Sequence, residues 1–197
     1  MDTQEIIERL ECYDGRYKRD EIDAAIKLKK EITPHLIAIL KKILDDPFYY
    51  ADEEEDYSAH NYTLMLLSYF KEAKAHDLIV ELFSLPEDLS YNLFGDITSE
   101  DLPAILYSTC GGSLERIKTL VLNKGVDEFC RLSALNAMLY AVVGGMVPRE
   151  EVIEYFGSLF PAENEGKDDY ELYSNLACAV CDIYPEELME KICIGSA

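Results

Sequence analysis

Apolar residues recur at intervals of three and four along almost the whole chain, the period of an α-helix with one buried face. Leu36, Ile37, Leu40, Ile43 and Leu44 form one such stripe, and Tyr62, Met65, Leu66 and Tyr69 form another. Start signals precede several stripes. Thr33-Pro34 pairs a capping hydroxyl with a proline that has no amide hydrogen to waste in a first turn. Asp56 precedes the second stripe, Thr98-Ser99-Glu100-Asp101 has the spacing of a capping box, and Pro148 and Pro185 are each followed by two glutamates that suit a helix N-terminus. No stretch alternates apolar and polar residues between hairpin turns, so the chain is expected to be all-α.

The spacing predicts helices near residues 3–13, 20–30, 34–45, 57–72, 75–84, 99–110, 113–123, 127–142, 148–160, 168–183 and 185–193. After the first they fall into pairs joined by short turns, such as Gly111-Gly112. The first members centre near Ile26, Leu64, Leu102, Leu135 and Leu176, giving separations of 38, 38, 33 and 41 residues. A helix pair returning at this interval is the pattern of an α-α superhelix, in which each pair buries its apolar face on its neighbours. One solenoid domain over residues 1–197 is therefore expected, with four complete pairs and a shorter one at the N-terminal end. The segment Arg131-x-x-Ala134-Leu135-x-Ala137-Met138, followed by Glu150-Glu151-Val152-Ile153-x-x-Phe156, resembles a HEAT repeat, whose small first-helix residues admit the second helix closely.

A second resemblance rests on Phe94-Gly-Asp-Ile-Thr-Ser-Glu-Asp-Leu-Pro-Ala-Ile-Leu106, Asp127-Glu-Phe-Cys-Arg-Leu-Ser-Ala-Leu135 and Cys181-Asp-Ile-Tyr-Pro-Glu-Glu-Leu188. Over residues 94–197 these are similar to a bacterial family called domain of unknown function 1186. That resemblance implies a HEAT-like helical fold and assigns no chemistry. Many members of the family carry a cysteine-rich SEC-C zinc-binding tail. The present sequence reads Ile194-Gly-Ser-Ala197 where such a tail would begin, so no zinc site of that kind is expected.

Charge changes the picture more than composition does. The 197 residues hold 39 Asp and Glu against 18 Lys and Arg, a net charge of −21. A nucleic-acid backbone would be repelled unless a local basic face overcame this field. Residues 16–42 are that exception, with eight Lys and Arg against four acids, while residues 1–15 carry −4 and residues 43–197 carry −21. Arg16, Tyr17, Lys18, Arg19, Lys29 and Lys30 are the candidate partner-binding residues, with Lys41 and Lys42 beside them. Such polarity suits an acidic partner at the N-terminal end and a basic one along the body. The opposing reading is that these lysines are ordinary solvated faces of amphipathic helices. Fourteen tyrosines, Tyr49-Tyr50 among them, add weight to an interaction role.

Candidate chemistry is sparse. Cys178-x-x-Cys181, with Cys193 beyond, could hold a metal or work as a redox pair, but zinc needs three or four ligands and no second pair or nearby histidine follows. Leu176-Ala177 and Ala179-Val180 make its surroundings look like core, where a thiol behaves as a small hydrophobe. The run Asp52–Asp56 with His60 is a second candidate for a divalent metal, against the simpler reading of a solvated loop. Glu72 and His76 lack the Glu-x-x-His spacing of a di-iron site, and neither a nucleophile elbow nor a phosphate loop is present. With no basic and apolar leader at the start and no uninterrupted run of about 20 apolar residues, a reduced cytoplasmic protein is expected. The apolar Ile192-Cys193-Ile194 raises the expectation of a homodimer through that end. The sequence thus points to a non-enzymatic scaffold for a protein or peptide, with no cofactor and no membrane. The alternative is a metal or thiol-redox enzyme using Cys178, Cys181 and Cys193 or the Asp52–His60 region.

Overall fold

The computed structural model describes residues 1–53, 57–86, 88–160 and 169–189. They form α1 (Thr3–Glu11), α2 (Arg19–Lys27), α3 (Lys29–Asp45), α4 (Ala59–Phe70), α5 (His76–Leu82), α6 (Leu89–Phe94), α7 (Ile97–Glu100), α8 (Leu102–Thr109), α9 (Glu115–Leu122), α10 (Glu128–Val143), α11 (Arg149–Leu159) and α12 (Tyr170–Cys181). A π-turn spans Tyr49–Glu53, and 3-10 turns span Ala73–Ala75 and Glu186–Leu188. Among the described residues there is no strand. One isolated bridge joins Cys12 to Tyr57, beside a Ser58 hydroxyl that donates to the Leu10 carbonyl at 2.8 Å.

The helices pack in two tiers. α4 lies against α8, α8 against α10 and α10 against α12, while α3 lies against α5 and α5 against α9. Between the tiers α3 covers α4, α9 and α11 cover α10, and α11 also meets α12. Contacts near the helix ends give their directions. Ser68 and Ser108 share a hydrogen bond of 2.8 Å near the C-termini of α4 and α8, and the Tyr107 and Tyr140 rings meet near the C-termini of α8 and α10. Arg116 and Asp77 join the N-terminal turns of α9 and α5 at 3.0 Å. α4, α8 and α10 therefore run parallel to one another, as do α5 and α9. The core is a continuous layer between them, with Leu36, Leu64, Ile79, Leu106, Leu135 and Phe156 all inaccessible to solvent.

Several local expectations are corrected. α3 begins at Lys29, and Pro34 sits inside it. The helix forfeits one backbone bond there, yet it buries Ile32 completely, and Thr33 Oγ1 donates to the Lys29 carbonyl at 2.6 Å. The capping box at Thr98 does not form. Thr98 is buried within α7 with its hydroxyl unpaired, its carbonyl accepts from Ser133 Oγ at 2.7 Å, and α8 starts separately at Leu102 with Pro103 in its first turn. The predicted helix over 99–110 is thus two helices. α6, which was not predicted, lies between α5 and α7. Its six residues are too few to display a period before Gly95 turns the chain at φ 53°. Of the helix expected over 185–193, residues 186–188 form a 3-10 turn, and residues 190–193 and Asp56 lie outside the described residues.

Three glycines are required by geometry. Gly111 and Gly112 take φ of 63° and 93° in the α8–α9 turn, as the sequence reading anticipated. A Cβ on Gly144, the C-cap of α10, would run into the ring and hydroxyl of Tyr107.

Candidate functional site

The helices of the first tier leave an uncharged outer face. α4 buries residues 59, 60, 63, 64, 66, 67 and 70, so Tyr62, Met65, Ser68 and Tyr69 look outward. α8 contributes Ala104, Tyr107 and Ser108, and α10 contributes Phe129, Leu132, Asn136, Tyr140 and Val143. None of these side chains is ionisable near neutral pH, in a chain with 57 charged residues. The strip is well exposed, from Tyr69 at 67% and Met65 at 49% to Tyr140 at 45% and Val143 at 82%. Continuity across helices comes from the Ser68–Ser108 hydrogen bond and from Tyr107 meeting Tyr140 edge-on at 6.4 Å. At the N-terminal end, Tyr17, Ile22 and Ile26 join Tyr62, Met65 and Tyr69 around a groove of about 180 Å³. In the second tier α5, α9 and α11 are the reverse, displaying Asp77, Glu81, Glu115, Glu150, Glu151 and Glu154, whereas α3 displays Lys30 and Lys41.

The six predicted binding residues do not make one patch. Arg16, Tyr17, Lys18 and Arg19 lie in and just after the α1–α2 loop. Lys18 is tied to Asp14 at 2.9 Å, a hydrogen bond that raises the lysine pKa and lowers that of the carboxyl, and Arg19 approaches Asp23 at 4.0 Å. Tyr17 belongs to the apolar groove. Lys29 is spent on structure, donating to the Phe70 carbonyl at 2.8 Å and lying over the Phe70 ring. Lys29 and Lys30 line a different feature, a cleft of about 530 Å³ shared with Lys41, Lys74, Thr33, Pro34, Ile37 and Glu72. Lys74 comes from the α4–α5 turn, a placement that no local signal in the sequence could reveal.

Both interior histidines are built into packing. His60 is 4% exposed, between the rings of Tyr57 at 5.8 Å and Phe94 at 5.4 Å. Its Nε2–H donates to the Leu93 carbonyl at 2.7 Å, and its buried Nδ1 has no hydrogen-bond partner. In His76, Nδ1–H donates to Thr109 Oγ1 at 3.0 Å, because that hydroxyl spends its own proton on the Ile105 carbonyl. Burial holds both imidazoles below the usual histidine pKa. The unfolded chain therefore takes up protons first as pH falls, and stability should decline as pH drops below about 6.5. Urea unfolding at a series of pH values checks this. The His60→Gln, His76→Gln double variant should be less stable at neutral pH but flatter through that range, and an unchanged slope would count against the assignment.

The cysteine expectation is overturned. Cys178 and Cys181 are exposed, on the face of α12 opposite the buried Leu176, Ala179 and Val180. Every residue from Leu176 to Cys181 is apolar, so hydropathy alone could not tell which face points inward. Cys130 is buried near Ser90 Oγ at 3.4 Å, and burial pushes its thiol up to about 12. Cys193 and Glu54–Asp56 lie outside the described residues. Among the described residues no group of three or more His, Cys, Asp or Glu side chains is placed to hold a metal ion, and no helix is long and apolar enough to cross a membrane.

Fold and surface together define an all-helical protein with an uncharged, aromatic face over α4, α8 and α10, acids displayed by α5, α9 and α11, and lysines along α3. The chain belongs to the family described as protein of unknown function (DUF1186), whose model matches residues 1–195. It is 32% identical over 192 residues to an uncharacterized protein of Chlamydia trachomatis serovar D, covering 98% of this chain and 75% of the relative. A similar protein of Chlamydia muridarum is 31% identical over 192 residues, with 98% and 76% covered. No solved structure matches the chain.

Proposed function

We propose that the protein is a non-enzymatic scaffold, a HEAT-like solenoid that holds a basic amphipathic segment of a partner protein against its first-tier helices. The pairs are α2 with α3, α4 with α5, α8 with α9, α10 with α11, and α12 with the turn after it; the parallel course of α4, α8 and α10 and of α5 and α9 supports this reading. The observation that carries the binding role is the uncharged strip over α4, α8 and α10. A protein at −21 covers itself with acids, and an aromatic surface of this extent without any charge is typical of a surface that another chain covers. Glu100, Asp101 and Glu128 flank the N-terminal ends of α8 and α10, and none is in an ion pair with a described residue. They favour a partner with Lys or Arg beside its apolar face.

Quantitative affinity purification from host lysate tests this with three tagged chains: the wild type, Tyr69→Asp with Tyr140→Asp, and Glu150→Gln with Glu154→Gln. A partner retained by the wild type and the second-tier variant should be lost by the strip variant. Both strip positions are exposed, so the three chains should unfold at nearly the same urea concentration. Equal retention by all three would refute the assignment.

A further inference from the structure

We propose that the cleft between α3 and the α4–α5 turn docks an acidic segment of a partner protein, one with carboxylates at both ends and an apolar residue between. The site lies apart from the first-tier strip, and the two assignments stand independently. Lys30, Thr33, Pro34, Ile37 and Lys41 follow one another along a single face of α3, so the cleft has an amine at each end and an apolar floor. Lys74 faces this stripe from the other wall. Lys29, held against the Phe70 carbonyl, fixes the two walls to each other.

The surrounding charge supports this assignment. Arg9, Lys18, Arg19, Arg116, Lys118, Arg131 and Arg149 are tied to carboxylates within the molecule. Lys30, Lys41 and Lys74 form no ion pair with a described residue, although the chain has more than twice as many acids as cations.

Length and screening choose the ligand. Lys30 and Lys41 are separated by about 16 Å of helix, too far for one compact anion and close to the span of five extended residues. The Debye length of about 8 Å confines what a short segment senses to the cleft, where four lysines outweigh the single carboxylate of Glu72, whereas a nucleic-acid duplex would extend over the acidic body.

The test is a titration of the full-length ¹⁵N-labelled chain with the peptide Glu-Glu-Leu-Leu-Glu-Glu, followed by NMR. Saturable shifts should appear around Lys30, Ile37, Lys41 and Lys74. The glutamine version of the peptide should leave them unmoved, and added salt should weaken binding. Lys30→Glu with Lys41→Glu should weaken binding about tenfold, and Arg16→Glu should not. If the double variant unfolds, Lys74→Gln serves in its place. Diffuse shifts, or equal binding of the neutral peptide, would overturn the proposal. So would a wild-type chain that self-associates through this cleft, or tighter binding of a DNA duplex.

Discussion

Replacing Arg131 with alanine is expected to remove about 3–5 kcal/mol of unfolding free energy, a large share of the stability of a domain this size. Arg131 is 6% exposed near the start of α10. Its guanidinium grips Asp169 through two parallel bonds of 2.9 and 2.6 Å, and its Nε–H donates to the Val121 carbonyl at 2.9 Å. One side chain thus holds the end of α9, the start of α10 and the N-cap of α12. Deleting it leaves Asp169 charged and nearly out of reach of water, and that desolvation accounts for most of the cost. Arg131→Met with Asp169→Leu should cost clearly less than the sum of the two single changes, since it removes both charges together. Urea unfolding of the four chains in a double-mutant cycle measures this, and strict additivity would refute it. The Arg131 hydrogen bonds hold the Asp169 carboxyl below the usual aspartate pKa. Its contribution is therefore complete above about pH 3.8 and disappears as pH falls through the lowered value, well below the histidine range.

Phe83→Ala should cost a similar amount, about 3–5 kcal/mol, from lost burial and an unfilled cavity. Phe83 caps α5, is fully buried, and packs on Phe94 with ring centroids 4.7 Å apart. Phe94 in turn stands edge-on to His60, and Tyr57 stacks on the other side. The row of rings fastens α6 to α4 and α5, so the loss should reach beyond the cavity itself. The His60 imidazole resonances should shift in NMR spectra of Phe83→Ala, while Phe83→Leu, which fills more of the space, should be milder in both respects. A loss below about 1 kcal/mol would mean that the site collapses around the missing ring.

Both variants depend on contacts between residues far apart in sequence, and this was the information hardest to extract from the chain. Helices were legible because their signals are local. α10 was expected over 127–142 and runs Glu128–Val143, with Asp127 accepting from the Phe129 amide and Gly144 ending it. The misreadings near Pro34 and Thr98 arose where burial outweighed a local rule: extending α3 buries Ile32, and packing α7 against α10 buries Thr98. The basic segment 16–42 was visible as composition, but composition could not divide it between an apolar groove and a lysine cleft.

The sequence by itself determined that this is a helical protein, because the helical period and the capping residues act within a turn or two of the backbone. Only the tertiary structure decided which face of each helix meets a neighbour. It turned Cys178 and Cys181 outward, committed Lys29, Arg131 and Arg149 to structural bonds, and aligned the uncharged faces of α4, α8 and α10 into one surface. The physical reason is reach: Lys29, Arg131 and Arg149 find their partners 38 to 41 residues away, at a distance that only the packed chain defines.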